Sequence, residues 1–147
     1  MAEVRTATVT WNGDLASGSG SVSAGTTGLF QDLPVSWGSR TEAPDGRTSP
    51  EELLAAAHAA CFSMALSAGL ARAGTPPEHL HVEAEVTFDK VGDAWTVTKS
   101  HIIVVGHVDG LSPEEFDAAA DDAKDGCPIS RALQGNVELS VAATLEQ

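Results

Sequence analysis

Cys61 and Cys127 are the only thiols in this chain of 147 residues. Each sits in a segment with helical patterning. Cys61 lies in the apolar run Glu51-Glu52-Leu53-Leu54-Ala55-Ala56-Ala57-His58-Ala59-Ala60-Cys61-Phe62-Ser63-Met64-Ala65-Leu66. Cys127 opens the segment Cys127-Pro128-Ile129-Ser130-Arg131-Ala132-Leu133. An isolated pair of this kind suggests a redox couple rather than a disulfide scaffold. A structural zinc site is not expected, because there is no Cys-x-x-Cys and His79, His81, His101 and His107 lack ligand spacing.

A cysteine nucleophile works as the thiolate, so its site must favour the charged sulfur. Cys61 falls in mid-helix, away from the positive end of the helix dipole. Burial among Ala and Leu raises its pKa unless a cation approaches. The helical run holds no cation before Arg72, so the charge must come from elsewhere. Arg40 and Arg47, in the preceding loop, are the nearest candidates, and Arg5 and Arg131 are more remote. A buried arginine needs a carboxylate in turn, and Glu51 and Glu52 are available. Glu51 stands ten residues before Cys61, about 15 Å along a straight helix. Either the helix breaks or two subunits share the site, and a composite dimer site is the favoured reading. Cys127 precedes Pro128 and so falls near an N-cap, where free N–H groups and the dipole favour a thiolate. That position suits a resolving thiol, which attacks a sulfenic acid formed on its partner. His58 lies one turn before Cys61 and reads as a hydrogen-bonded core histidine rather than a base.

The elements that must position these residues follow from patterning. Ala7-Thr8-Val9-Thr10-Trp11 alternates and Asn12-Gly13 marks a turn. A second strand begins in Ser17–Ser23, and Leu33-Pro34-Val35-Ser36-Trp37 reads as a short edge strand. Gly38 to Thr48 reads as a loop. Ser49, Pro50 and Glu52 form a helix start with a capping box, and Gly74-Thr75-Pro76-Pro77 stops the helix. Its middle is apolar nearly all round, which predicts burial on most faces and a partner subunit as cover. Two strands, Leu80–Asp89 and Ala94–Val108, form a hairpin about Gly92-Asp93. A capped helix begins at Ser112, a short one at Cys127, and Asn136–Leu145 closes as a strand. The order is α+β, in a single domain over residues 1–147.

The formal net charge of −13 repels phosphate backbones and anionic lipid, so neither nucleic acid nor membrane is an expected partner. No uninterrupted apolar run of about 18 residues occurs, so no membrane-spanning segment is expected. Met1-Ala2-Glu3-Val4-Arg5 does not read as the start of a secretory leader. A cytoplasmic location follows, where a cysteine pair is more often catalytic or redox-sensing than structural. From the residues alone, two other readings stand beside catalysis. One is an apolar-ligand-binding dimer whose cysteines only pack; the other is a thiol redox sensor.

The segment from Thr48 to Ser67 resembles the signature helix of the OsmC/Ohr family of thiol-dependent peroxidases. Gly126-Cys127-Pro128-Ile129-Ser130-Arg131-Ala132-Leu133 resembles that family's second-cysteine motif, and Trp11-Asn12-Gly13-Asp14 matches its opening. The resemblance implies an intertwined homodimer, with curved antiparallel sheets around two central buried helices and two active sites at the subunit interface. It implies reduction of organic hydroperoxides to alcohols in oxidative stress defence, without metal or organic cofactor. Cys61 would be peroxidatic and Cys127 resolving. Their disulfide would be opened by an external dithiol, a lipoylated protein being the family's donor. The family's arginine–glutamate pair carries over onto Glu51 and, in the OsmC branch, onto Arg40 within Gly38-Ser39-Arg40-Thr41-Glu42. Arg40 would stabilise thiolate and peroxide, and Glu51 would orient it. The Gly-rich segment Asp14–Gly20, where the Ohr branch carries its arginine, has none here. Arg47 remains a rival to Arg40.

Overall fold

The structure is a computed structural model describing residues 1–147. The chain divides into two compact units, Met1–Leu53 and Leu54–Gln147.

In the first unit, β1 (Ala7–Asn12), β2 (Ser19–Ala24) and β3 (Leu33–Val35) form an antiparallel sheet in the order β1-β2-β3. The two expected strands pair about the expected turn, with Ala7 opposite Ala24 and Asn12 opposite Ser19. Pro34 lies in the edge strand, where a missing N–H costs least. The segment expected as a loop begins with one helical turn, α1 (Gly38–Thr41). Serines hold that turn in place. Ser39 N donates to Ser36 Oγ at 3.2 Å, and Ser39 Oγ lies 2.9 Å from the carbonyl of Thr48. Such local side-chain bonds make a turn that apolar periodicity does not reveal.

The long helix α2 (Pro50–Arg72) crosses the unit boundary. Its capping box is only half made. Glu52 N donates to Ser49 Oγ at 3.1 Å, but the Glu52 carboxylate accepts from Thr48 Oγ1 at 2.7 Å rather than from Ser49 N. The helix ends where Gly74 takes φ +89 and Thr75 N donates back to the Leu70 carbonyl.

In the second unit, β4 (His79–Val91) and β5 (Ala94–His107) form the expected hairpin. Then come α3 (Pro113–Gly126), α4 (Pro128–Leu133) and β6 (Glu138–Glu146). Ser112 and Glu115 make a complete capping box for α3. The expectation of antiparallel sheets is corrected here, because β6 pairs with β5 in parallel, Lys99 opposite Glu138 through His107 opposite Glu146. A parallel neighbour needs a crossover of a dozen residues or more, and α3 with α4 supplies it.

The core joins Phe62, Leu66 and Leu70 of α2 to Ile102 and Val104 of β5 and Phe116 and Ala120 of α3. Gly106 lets α3 come close: a Cβ there would stand 2.5 Å from Phe116 Cζ. Within this chain α2 buries Glu51 in its first turn and the stripe His58, Phe62, Leu66 and Leu70, not most of its faces. Met64, on another face, is 71% exposed. By length and composition α2 alone is apolar enough to cross a membrane, with a mean hydropathy of 1.7 over 18 residues. Its stripe of Phe62, Leu66 and Leu70 instead packs in the core of the second unit.

Candidate functional site

The first unit sets the arginine–glutamate pair. Arg40 is carried by α1, and Glu51 stands in the first turn of α2. Arg40 Nη2 donates to Glu51 Oε1 at 2.7 Å, and Nε lies 3.2 Å from both carboxylate oxygens. The Arg40 guanidinium carbon also lies 5.5 Å from the centre of the Trp37 ring. Arg47 turns instead to Asp45 of its own loop, at 3.5 Å on the exposed surface. Of the two arginines, Arg40 is therefore the one that meets Glu51. An apolar cleft of about 530 Å³ flanks the pair, lined by Val9, Trp11, Leu15, Val22 and Trp37.

The second unit sets the thiols. Both cysteines are free; Cys127 is buried and Cys61 half-buried. Cys127 is the N-cap of α4, as its place before Pro128 predicted, and its sulfur accepts from Ser130 N at 3.3 Å. The Cys127 side chain and the Ile129 N–H lie near enough to Cys61 to act on its titration. So the structure brings the two predicted cysteines together. Burial pushes the Cys61 thiol above the ordinary cysteine range. The neighbouring Cys127 raises it further, while the Ile129 N–H and the Arg131 charge pull it down. Arg131, ranked as remote on sequence separation, thus lies close enough to act on Cys61. Its place two residues after Ile129 on the helix capped by Cys127 was the available signal.

His58 is fully buried, as expected of a core histidine. Nδ1 lies 2.6 Å from Ser100 Oγ and Nε2 lies 2.8 Å from Ser130 Oγ. Burial holds its pKa below the usual histidine value. Ser100 and Ser130 were missed from the sequence. The signal for Ser100 was its phase, because it alternates with Ile102 and Val104 on the core face of β5. One trio, Glu78, His107 and Asp109, places its donor atoms within 4.8 Å of one another. Both carboxylates are solvent-exposed and pair with the His107 ring at 3.5 and 3.9 Å.

An α+β fold that places one thiol at a helix N-cap near a second thiol on a long helix defines a dithiol protein. The OsmC-like protein family matches residues 43–142, so the chain belongs to that family. It is 40% identical to Peroxiredoxin OsmC of Escherichia coli (strain K12), over 88% of this chain and 89% of that protein. It is 34% identical to the organic hydroperoxide resistance protein OhrA of Bacillus subtilis (strain 168), over 64% of this chain and 65% of that one. Among solved structures, the organic hydroperoxide resistance protein OhrB of Bacillus subtilis superposes with a TM-score of 0.70 at 26% identity, covering 96% of this chain and 98% of that chain. The OsmC-like protein of Mycoplasma pneumoniae superposes with a TM-score of 0.75 at 18% identity, covering 100% of both chains, and shows the fold alone.

Proposed function

We propose that this chain is a thiol-dependent peroxidase that reduces organic hydroperoxides to alcohols, in defence against oxidative stress. The observation that carries this reading is the nearness of Cys61 to the N-capping Cys127, close enough for Cys127 to act on the charge of Cys61, in a fold shared with hydroperoxide resistance proteins. The Cys61 thiolate attacks one oxygen of ROOH. The O–O bond breaks, the alkoxide takes a proton and leaves as alcohol, and Cys61 becomes a sulfenic acid. Cys127 then attacks the Cys61 sulfur, water leaves, and a Cys61–Cys127 disulfide remains. An external dithiol, such as a lipoylated protein, returns both thiols. Both electrons for the peroxide come from sulfur.

Arg40 holds the thiolate and polarises the O–O bond, while Glu51 fixes the guanidinium. A homodimer is the assembly that fits this scheme. Glu51 stands ten positions before Cys61 on α2, and the uncovered apolar face at Met64 offers a surface for a second copy. The cleft beside Arg40 suits the organic part of the peroxide. A protein with this dithiol cycle works in a reducing compartment, the cytoplasm.

The test is steady-state turnover of cumene hydroperoxide and hydrogen peroxide with dihydrolipoamide as reductant. Wild type is expected to prefer the organic peroxide, and Cys61→Ser to be inactive. Normal turnover by Cys61→Ser would overturn the reading. A folded protein that binds apolar ligands but turns over no peroxide would instead make the cleft a binding site and the cysteines packing residues.

A further inference from the structure

A line of polar atoms runs through the core of the second unit. Cys127 Sγ lies 3.0 Å from Ser130 Oγ, Ser130 Oγ lies 2.8 Å from His58 Nε2, and His58 Nδ1 lies 2.6 Å from Ser100 Oγ. All four side chains are wholly excluded from solvent. Three elements converge to make the line: α2 supplies His58, β5 supplies Ser100, and α4 with its cap supplies Ser130 and Cys127. Each member has a partner, so the network is not a stability fault.

The thiol gives the line a task. Cys127 can attack sulfur only after losing its proton, and solvent does not reach it. Apart from Cys61 itself, the one side-chain oxygen beside the Cys127 sulfur is Ser130 Oγ; the Ser130 backbone N–H only donates. A serine hydroxyl is too weak a base to keep the proton. It can accept from the thiol while giving its own proton to His58 Nε2. Imidazole is the one group on the line whose ordinary pKa suits proton uptake near neutrality. Burial favours the neutral ring, in which one nitrogen can accept. Ser100 fixes the other ring nitrogen and hence the orientation of the ring. The groups facing His58 are Ser100 from β5 and Ser130 from α4, with Cys127 beyond. Cys61 and Arg131 are the other titratable and charged groups at the sulfurs.

Resting on the peroxidase reading, we propose that Ser130 and His58 are a buried proton relay that activates Cys127 for disulfide closure. Ser130, in contact with the reacting sulfur, is catalytic; His58, acting through it, is a positioning and proton-holding residue. As the Cys127 S–H bond breaks, its proton passes to Ser130 Oγ and the Ser130 proton passes to His58 Nε2. The freed sulfur electron pair forms the S–S bond with Cys61, and the Cys61 S–O bond breaks with its electrons on oxygen. The departing hydroxide and the proton taken up by His58 make the water released. No outside oxidant or base enters the step.

The test is single turnover with one equivalent of cumene hydroperoxide, quenched in acid, from pH 5.5 to 9. Mass spectrometry counts dimedone-trapped sulfenic acid and disulfide. The variants are Ser130→Ala, which breaks the line, and His58→Gln, whose amide can bond both serines but cannot hold the proton. Loss of a positioned base is expected to slow closure about 100-fold or more, so sulfenic acid accumulates in both variants. Closure in both should then rise about tenfold per pH unit as hydroxide takes over, where wild type is flat near neutrality. A merely structural role would not give His58→Gln that slope. Closure in both variants at the wild-type rate and pH profile would overturn the relay while leaving the peroxidase intact. Absence of sulfenic acid and disulfide in wild type would overturn the peroxidase reading and the relay with it. Thermal unfolding shows whether each variant is folded. If Ser130→Ala is not, His58→Gln alone decides.

Discussion

Removing the Glu51 carboxylate tests whether the Arg40–Glu51 pair is a working part or only a brace. One short contact at 2.7 Å and a shared Nε contact at 3.2 Å to each oxygen amount to about two charge-assisted hydrogen bonds. The Glu51 side chain is 9% exposed and that of Arg40 27% exposed. Arg40 therefore keeps some access to water after the loss, which discounts the full cost of a stranded charge. Glu51→Ala should cost about 2–3 kcal/mol of unfolding free energy. Glu51→Gln keeps an acceptor and should cost about 1 kcal/mol. Activity should fall further than stability. A guanidinium that no longer has a fixed direction loses preorganised stabilisation of the thiolate and peroxide oxygens, about 100-fold in kcat/KM. The assays are urea unfolding at fixed protein concentration and cumene hydroperoxide turnover with dihydrolipoamide. Arg47→Gln is the control and should stay within about twofold of wild type, since its exposed pair contributes little. If Glu51→Ala loses the stability but keeps kcat/KM, the pair is a brace and Arg40 has no part in the chemistry. If Arg47→Gln gives the larger activity loss, Arg47 is the working arginine.

Gly106→Ala places a methyl 2.5 Å from Phe116 Cζ and 3.0 Å from Leu80 Cδ2. The ring must retreat within a packed core, at a cost of about 1–3 kcal/mol measurable as a lower urea midpoint; an unchanged midpoint would contradict the packing described. The depressed His58 pKa makes stability depend on pH. The unfolded chain takes up a proton at His58 first as pH falls below the ordinary histidine value. The contribution is therefore complete above that value and is lost as pH drops toward the folded pKa. Unfolding free energy should decline in that acid window, and His58→Gln should flatten the decline. Cys127 raises the Cys61 pKa, so Cys127→Ala should speed iodoacetamide labelling of Cys61 at pH 7, read residue by residue by mass spectrometry. Slower labelling would mean that Cys127 helps the Cys61 thiolate rather than opposing it.

Local rules carried much of the fold. The first hairpin, the edge strand with Pro34, both long helices and the β4–β5 hairpin all follow from alternation, turn residues and caps, which act over a few residues. Three features did not follow. The α1 turn is held by serine bonds that leave no apolar period. The Glu52 carboxylate chose the Thr48 hydroxyl over the Ser49 N–H, a choice between two neighbours that spacing cannot distinguish. The parallel pairing of β6 depends on where α3 and α4 deliver the chain, which an alternating segment does not encode.

The same division holds at the site. The chain alone determined which residues have the chemistry: two thiols, one of them at an N-cap, an arginine and a carboxylate at a helix start, and a histidine in core phase. These are properties of residue type and of spacing within one element. The tertiary structure decided which of them meet. It put Arg40 rather than Arg47 on Glu51, brought Cys127 and the Ile129 N–H to Cys61, and joined Ser100 and Ser130 across His58. Those contacts join residues 11 to 72 positions apart. They are fixed by how helices and strands pack, and packing is a property of the whole core rather than of any local run of residues.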